Sequence, residues 1–234
     1  MKRKAFKAAF PLTLPVMAGY IFLGIGFGVL LQSKGYNFLW ALGMSVTMYA
    51  GVMQYAAVNL LASGATLIST ALMTLMINAR HLFYAISMVG KYKDMGVARN
   101  VLGYEMTDET YSLTSTAEPP AGINRKWFFL AISMLNHLYW IIGCVLGAVL
   151  GAALPFDFKG VEFSMTALFI IIFVEQWQSK KNHLPAITGL ACALLCRILF
   201  GADKFIVPAM LMTIALIFVF SKDMDENGKE REND

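Results

Sequence analysis

Charged side chains are scarce in this sequence: Asp, Glu, Lys and Arg make up only 15% of its 234 residues. Hydrophobic residues make up 58%, and the mean hydropathy is +0.60. This composition excludes a soluble domain and indicates an integral membrane protein. The net charge of +4 comes from Lys and Arg near the ends of apolar segments. We interpret it as a topology signal and not as a nucleic-acid-binding surface.

The motifs of common catalytic centres are also missing. The three histidines lie on different segments without the spacing of zinc sites, namely His81, His137 and His183. The three cysteines lie in apolar segments and are expected to be small buried residues, namely Cys144, Cys192 and Cys196. No serine-nucleophile, paired-carboxylate or nucleotide-binding motif is present. We therefore expect no enzyme and no cofactor, and an intramembrane metalloenzyme is the least favoured hypothesis.

Long apolar segments dominate instead, and they predict an all-α, polytopic membrane helix bundle of about six to seven hydrophobic segments. A single integral membrane domain is expected over 1–221, followed by a charged, disordered tail over 222–234. The segments lie at about 10–31, 38–61, 65–89, 127–150, 163–177, 185–200 and 205–220. Pro11 and Pro15 predict a kinked or broken first segment. Within the polar stretch 90–126, a surface helix is expected in 96–115.

Basic residues indicate which ends of the segments share a side. They cluster at the N-terminus, within 91–126, at 180–181 and after 221. The last three clusters agree with one cytoplasmic side if segments four to seven each cross, which places the C-terminus in the cytoplasm. Three full crossings before Lys91 would put the N-terminal cluster on the opposite side. One of the first three segments is therefore expected to be re-entrant or interrupted. The alternative is that the N-terminal basic residues do not determine which side of the membrane they occupy.

Segment three carries the strongest functional signal, because Asn78, Arg80 and His81 lie near its middle. A central Arg costs about 2.5–3.5 kcal/mol on insertion scales, so it is expected to face a polar cavity or a buried partner. Thr74, Asn78 and His81 share one helix face, whereas Arg80 points away. A helix that is polar on two faces is either enclosed by protein or interrupted. Either case indicates a functional site at this position.

Other polar residues in or beside apolar segments complete the candidate set. Glu175 borders segment five and is a candidate partner for Arg80 or a proton carrier, although it fits the membrane edge equally well. Tyr49 and Gln54 suit an amino-acid zwitterion but could equally be structural. Asn136 and His137 lie together in segment four, where interhelical hydrogen bonding is the slightly favoured interpretation. Asp108 and Glu109 are expected to be first-turn acids of the surface helix.

Two further patterns concern packing and symmetry. Gly143, Gly147 and Gly151 form a small-xxx-small ridge that lets another helix pack closely. Gln54 followed by residues 80–83 faintly resembles Gln176 followed by residues 197–200. This echo is consistent with inverted repeats containing interrupted helices, a common transporter plan, although chance could supply four matched residues.

The motifs of the chain resemble those of the AzlC (YgaZ-like) branched-chain amino-acid permeases over most of residues 8–220. The segments that carry the resemblance are 50–55 (AGVMQY), 64–65 (GA), 78–84 (NARHLFY) with Ser87, 106–111 (MTDETY), Trp140 with Gly143, and 163–169 (FSMTALF). Residues 161–164 (VEFS) depart mildly from the expected LDFA. The resemblance implies an exporter of leucine, isoleucine and valine in the bacterial inner membrane. It also implies a small AzlD-like (YgaH-like) membrane subunit as partner.

The favoured hypothesis is a proton-driven secondary transporter. In it, Arg80 binds the substrate carboxylate, and four neutral side chains complete the substrate site, namely Tyr49, Gln54, Asn78 and Asn136. The proton carriers considered are His81, His137 and Glu175. The alternative is a membrane scaffold or channel-like subunit that is inert without its partner.

Overall fold

The computed structural model describes residues 2–153, 183–201 and 205–219, together with single positions between 163 and 178. All regular structure in this part of the chain is helical. The helices are α1 (Lys2–Ser33), α2 (Phe38–Thr47), α3 (Gly51–Ala62), α4 (Leu67–Met88), α5 (Ala98–Tyr104), α6 (Asp108–Thr116), α7 (Arg125–Ala153), α8 (Leu184–Phe200) and α9 (Ile206–Val219). The helical class expected from the sequence is confirmed, whereas the number of membrane crossings stays a prediction.

The chain forms two compact units, residues 1–165 and 166–234. In the second unit α8 and α9 pack against each other, and Cys192 and Cys196 are buried on one face of α8. These helices match predicted segments six and seven. Most of segment five, including Glu175 and Gln176, and the charged tail lie outside the described residues.

Close contact between α1 and α7 forms the frame of the first unit. The two helices meet through glycines: a Cβ atom on Gly28 would collide with the backbone of Cys144 and Ala148, and one on Gly147 would collide with the backbone of Ile25. The predicted ridge on segment four is therefore confirmed, and it faces a matching stripe on α1. Because contacting residue numbers rise together along both helices, α1 and α7 run parallel.

The prolines of α1 do not interrupt it, contrary to the expectation of a broken first segment. The helix continues through Pro11 and Pro15. The Thr13 hydroxyl donates to the Phe10 carbonyl at 2.9 Å. This is a hydroxyl bond to the preceding turn of the same helix, which threonine commonly makes when it is buried in a helix.

The interruption lies in segment two, which divides into α2 and α3 at residues 48–50. Tyr49, in the break before α3, lies against Tyr20, and the Tyr55 hydroxyl of α3 donates to the Leu23 carbonyl at 2.7 Å. Hence α3 runs in the same direction as α1, toward the end of α1 from which α2 started. Together α2 and α3 form a helical hairpin, hairpin A, which returns to the end of the unit where it started. The expected interruption of one of the first three segments is confirmed.

A second helical hairpin, hairpin B, is formed by α5 and α6 with a break at residues 105–107. Just before α5, Tyr92 lies against Phe129 of α7, and Glu105 after α5 reaches His137 about 12 Å further along α7. The chain then returns, since Lys91 donates to the Ala117 carbonyl beyond α6 at 3.0 Å. Hairpin B therefore enters from the end of the unit opposite to hairpin A.

The helix expected in 96–115 is present as α5 and α6, but it is broken at 105–107 and only part of it is exposed. Leu102, Thr110 and Thr114 are fully buried. Threonine tolerates this burial because its hydroxyl bonds the preceding turn, as Thr114 does with the Thr110 carbonyl at 2.7 Å. The polar composition of this stretch does not reveal that one face of it packs inside the unit.

This arrangement reconciles the basic clusters at the two ends of the first unit. Lys2 lies 4.3 Å from the centre of the Trp127 ring, so the starts of α1 and α7 share one end. The end of α4 lies there too, since Lys91 is 5.3 Å from the Phe129 ring. Because hairpin A returns to its own side, the N-terminal cluster and the 91–126 cluster fall on the same side. In the described part of the chain, α1 and α7 combine the length and apolar composition needed to cross a membrane.

Replacing Gly28 with Ala should destabilise the protein, because the added methyl group meets backbone atoms of α7 that cannot move independently. Overpacking of this kind costs about 1–3 kcal/mol. A melting temperature measured in detergent should fall by about 2–4 °C per kcal/mol. Gly19→Ala is the matched control on the same helix, since nothing lies within 4 Å of its Cβ position. Equal melting temperatures for the two variants would contradict the close α1–α7 contact.

Candidate functional site

The breaks of the two hairpins meet inside the first unit. The Tyr104 hydroxyl at the end of α5 lies 2.9 Å from the Thr47 carbonyl and 3.2 Å from the Val46 carbonyl at the end of α2. These carbonyls have no partner further along α2, because the helix stops there. One tyrosine of hairpin B therefore caps the open end of hairpin A. We call this meeting point the junction: residues 45–50 and 104–107.

His137 of α7 touches both hairpins at the junction. Its Nε2 atom lies 2.9 Å from the Ser45 carbonyl oxygen of α2. Its Nδ1 atom lies 3.1 Å and 2.9 Å from the two carboxylate oxygens of Glu105, which follows α5. The ring of Tyr49 stacks on the imidazole at 4.1 Å between centroids. A single side chain thus joins the ends of α2 and α5.

The N-terminus of α6 is held by hydroxyl and amide groups from α1 and α7. Thr107 is the N-cap residue, and its hydroxyl accepts the N–H of Thr110 at 3.2 Å. The Tyr20 hydroxyl lies 2.6 Å from the Thr107 hydroxyl. The Asn136 side-chain amide donates to the Thr110 hydroxyl at 3.1 Å. These contacts fix the first turn of α6 between α1 and α7.

Three carboxylates follow closely along hairpin B, and each has a partner from a different long helix. Glu105 meets α7 through His137, as described above. The Glu109 carboxylate accepts the Tyr20 hydroxyl of α1 at 2.7 Å. Asp108 pairs with the Arg80 guanidinium of α4 at 2.9 Å and accepts the Tyr84 hydroxyl at 2.6 Å. Hairpin B is therefore connected to α1, α4 and α7 through its acids.

The partner of Arg80 is Asp108, which the sequence analysis had placed on a surface helix. Burial of one charge in apolar surroundings favours an opposite charge close by, and the first turn of α6 supplies it. The pairing with Glu175 considered above lies outside the described residues. His81 makes an edge contact with the Tyr84 ring at 5.8 Å. Arg80 therefore borders the first turn of α6, and His81 lies beside Tyr84, which binds the same carboxylate.

Gln54 and Trp140 close the other side of the junction. The indole N–H of Trp140 donates to the Gln54 amide oxygen at 2.5 Å, and Gln54 is fully buried. Gly51 opens α3 directly against this indole, because a Cβ there would lie 3.0 Å from the ring. Glycine is therefore required by the close approach of Trp140.

All five residues predicted to bind substrate have a buried polar atom without a hydrogen-bond partner in the described part of the chain. These atoms are Tyr49 Oη, Gln54 Nε2, Asn78 Oδ1, Arg80 Nε and Asn136 Oδ1. Buried polar groups are usually satisfied, so each such atom calls for an explanation. Three of these residues, Tyr49, Gln54 and Asn136, surround the junction, while Asn78 and Arg80 lie on α4. The first turn of α6 touches both groups through Asp108 and Thr110.

Sequence reasoning missed the roles of Tyr20, Glu105 and Thr107. The available signal was the acid-rich run 105–109 with its Thr-Asp-Glu motif, which was interpreted as the start of a surface helix. Within the described ranges, no group of three or more His, Cys, Asp or Glu residues could hold a metal ion.

Replacing Asp108 with Asn should destabilise the protein, because Arg80 loses its ionic partner. The loss should be smaller than the about 3–5 kcal/mol typical of a fully buried pair, since the Arg80 side chain is 30% exposed. Thermal unfolding in detergent measures it. The double variant Arg80→Gln/Asp108→Asn should recover part of the loss, and Asp94→Asn, at an exposed position, is the control. A double variant less stable than Asp108→Asn would argue against the pair.

Comparison with known proteins identifies the relatives of this chain. Residues 15–154 match the AzlC protein family. The chain is 41% identical over 222 residues to the branched-chain amino acid transport protein AzlC of Bacillus subtilis, covering 95% of this chain and 87% of that protein. It is 39% identical to an uncharacterized membrane protein of Helicobacter pylori (strain J99), covering 95% and 97%. It is 26% identical to the inner membrane protein YgaZ of Escherichia coli, covering 86% and 82%.

No solved structure matches the chain. The family match covers more than half of the sequence and includes both hairpins with α1, α4 and α7 apart from the first turns of α1. The relatives are named as membrane or transport proteins. This chain is a membrane protein of the AzlC family.

Proposed function

We propose that this protein is a secondary transporter that exports branched-chain amino acids across the bacterial inner membrane. The coupling ion is a proton, and a small AzlD-like membrane subunit is the partner. The name of the Bacillus subtilis relative, at 41% identity, supports the substrate class. The resemblance noted in the sequence supports the export direction and the partner. The shared side of the basic clusters supports a cytoplasmic N-terminus, and the C-terminus is proposed to be cytoplasmic as well.

The unpartnered buried atoms near the two breaks are the observation that carries the proposal. An amino acid brings a carboxylate that accepts hydrogen bonds and an ammonium that donates them. Gln54 Nε2 and Arg80 Nε are donors, whereas Asn78 Oδ1 and Asn136 Oδ1 are acceptors. The missing partners are therefore of both kinds, as a zwitterion requires.

The Arg80–Asp108 pair is also suited to bind a zwitterionic amino acid. Its charges neutralise each other in the empty state, which limits the penalty of placing them in the membrane. A zwitterion placed between them would put its carboxylate on Arg80 and its ammonium on Asp108. The net charge of the site then stays the same with and without substrate.

Methionines near the junction suit an apolar side chain of variable shape. Met44, Met53 and Met106 are buried beside the two breaks, and Met48 lies within the first. The flexible thioether of methionine adapts to ligands of different branching. We expect a site that accepts leucine, isoleucine and valine without strong discrimination.

The proton carrier is best assigned to His137. It has an acid partner, Glu105, and sits on the junction of both hairpins. The other two candidates considered from the sequence were His81 and Glu175. His81 makes a ring contact with Tyr84, and Glu175 lies outside the described residues.

Efflux from whole cells tests the function. Cells loaded with leucine through a leucine-containing dipeptide should release it faster when they produce this chain with its AzlD-like subunit. A protonophore should abolish the increase. Unchanged release with normal membrane abundance would contradict the substrate assignment. Full release by the partnered protein without any gradient dependence would favour the channel-like alternative.

A charge exchange tests the zwitterion site. The double variant Arg80→Asp/Asp108→Arg keeps an ion pair in place but reverses its direction. We expect normal membrane abundance and no leucine transport, because the substrate side chain would have to point the opposite way. Single variants Arg80→Ala and Asp108→Ala should also lose transport. Transport restored by the exchange would mean that the pair only holds the fold together.

A further inference from the structure

We propose that His137 and Glu105 together form the proton-binding site of the transporter, that the site holds one exchangeable proton, and that this proton fastens the two hairpins to each other. The proposal rests on the proposed function for its coupling to leucine. Its basis is the position of the imidazole between Ser45 and Glu105 at the junction.

The Ser45 carbonyl fixes the tautomer of His137. A carbonyl oxygen can only accept a hydrogen bond, so Nε2 at 2.9 Å carries a proton in every state of the pair. The exchangeable proton must therefore lie between Nδ1 and the Glu105 carboxylate. The pair holds it either as imidazolium with carboxylate or as neutral imidazole with carboxylic acid. Both forms have no net charge and keep the hydrogen bond.

Loss of that proton changes both charge and geometry. The pair becomes neutral imidazole with carboxylate, with a net charge of −1, and the lone pair of Nδ1 then faces the lone pairs of Glu105. Two acceptors in contact repel each other, so the bond between α7 and the end of α5 is lost. The bond to Ser45 remains, because Nε2 keeps its proton. Deprotonation therefore releases hairpin B from α7 while hairpin A stays attached.

The surrounding groups favour the neutral, proton-bound pair. Tyr49 stacks on His137 from the break of hairpin A, and Tyr104 of α5 binds the Thr47 carbonyl next to this break. Tyr20 of α1 lies 6.4 Å from the Tyr49 ring and binds Glu109 of α6. The tyrosines are neutral, Glu109 carries a carboxyl group, and the cation Arg80 pairs with Asp108. A free negative charge on Glu105 would thus face no cation other than His137 among the described residues.

The size of the leucine gradient at a known pH difference measures how many protons are exchanged for each leucine. Purified protein with its small subunit is reconstituted into liposomes, and the membrane potential is clamped at zero with potassium and valinomycin. With one proton exchanged per leucine, each unit of pH difference should support a leucine gradient of about tenfold. Glu105→Gln and His137→Gln should abolish this gradient but retain leucine exchange. Glu118→Gln, which removes an acid 69% exposed, is the control and should keep the gradient.

Two results of this experiment would contradict the proton site. A gradient of about a hundredfold per pH unit in the wild type would require two protons, and a tenfold gradient in Glu105→Gln would place the proton elsewhere. Either result would overturn the proposal while leaving leucine transport intact. No leucine exchange by the wild type would instead overturn the proposed function.

A measurement without substrate tests the site itself. Nitrogen-15 NMR of histidine-labelled protein reports which ring nitrogen is protonated, and His137→Gln identifies the signal among the three histidines. We expect Nε2 of His137 to stay protonated throughout a pH titration and Glu105→Gln to alter the titration of Nδ1. A neutral tautomer protonated at Nδ1 would overturn the proposal whatever the transported substrate is.

Discussion

The rest of the first unit depends on the satisfaction of backbone groups exposed where a helix stops inside apolar surroundings. Each unpaired N–H or C=O there costs several kcal/mol. At the end of α2 the exposed carbonyls are satisfied by His137 and Tyr104, and at the start of α6 the N–H of Thr110 is satisfied by Thr107. The groups that make two interrupted helices stable are therefore polar or ionisable. The same requirement that permits the breaks places a histidine and its acid between them.

The glycine contact between α1 and α7 sets the position of this chemistry. On α7, Asn136, Trp140, Gly143 and Gly147 recur at the spacing of one helix face. The glycine part of that face brings the backbones of α1 and α7 together, and large side chains replace glycine on the preceding turns of both helices. Tyr20 and Trp140 fill that region with a ring contact at 5.5 Å. One stripe of residues thus supplies both the close contact and the wall of the junction.

The sequence predicted features that depend on local composition. Apolar length predicted α1, α4 and α7, and small residues at fixed spacing predicted the packing of α7. Counting basic residues also favoured a re-entrant or interrupted segment among the first three, with the alternative that the N-terminal charges do not determine the topology. Hairpin B escaped prediction because its threonines and acids resemble a surface helix in composition. The pairing of Arg80 with Asp108 escaped as well, since contacts between distant positions depend on topology that composition does not contain.

The two hairpins enter the first unit from opposite ends, and this determines how the proposed proton site would act in transport. Hairpin A leaves the junction toward the end of the unit where α1 stops, and hairpin B leaves toward the end where α1 starts. In the proposed transporter, each hairpin closes one path to the junction. If His137 held both equally in all states, neither path could open alone. The two nitrogens contact different hairpins. In the proposed site only the Nδ1 contact depends on the exchangeable proton, so we propose that protonation acts on hairpin B and spares hairpin A. Such asymmetry is what alternating access between two sides requires of a coupling site.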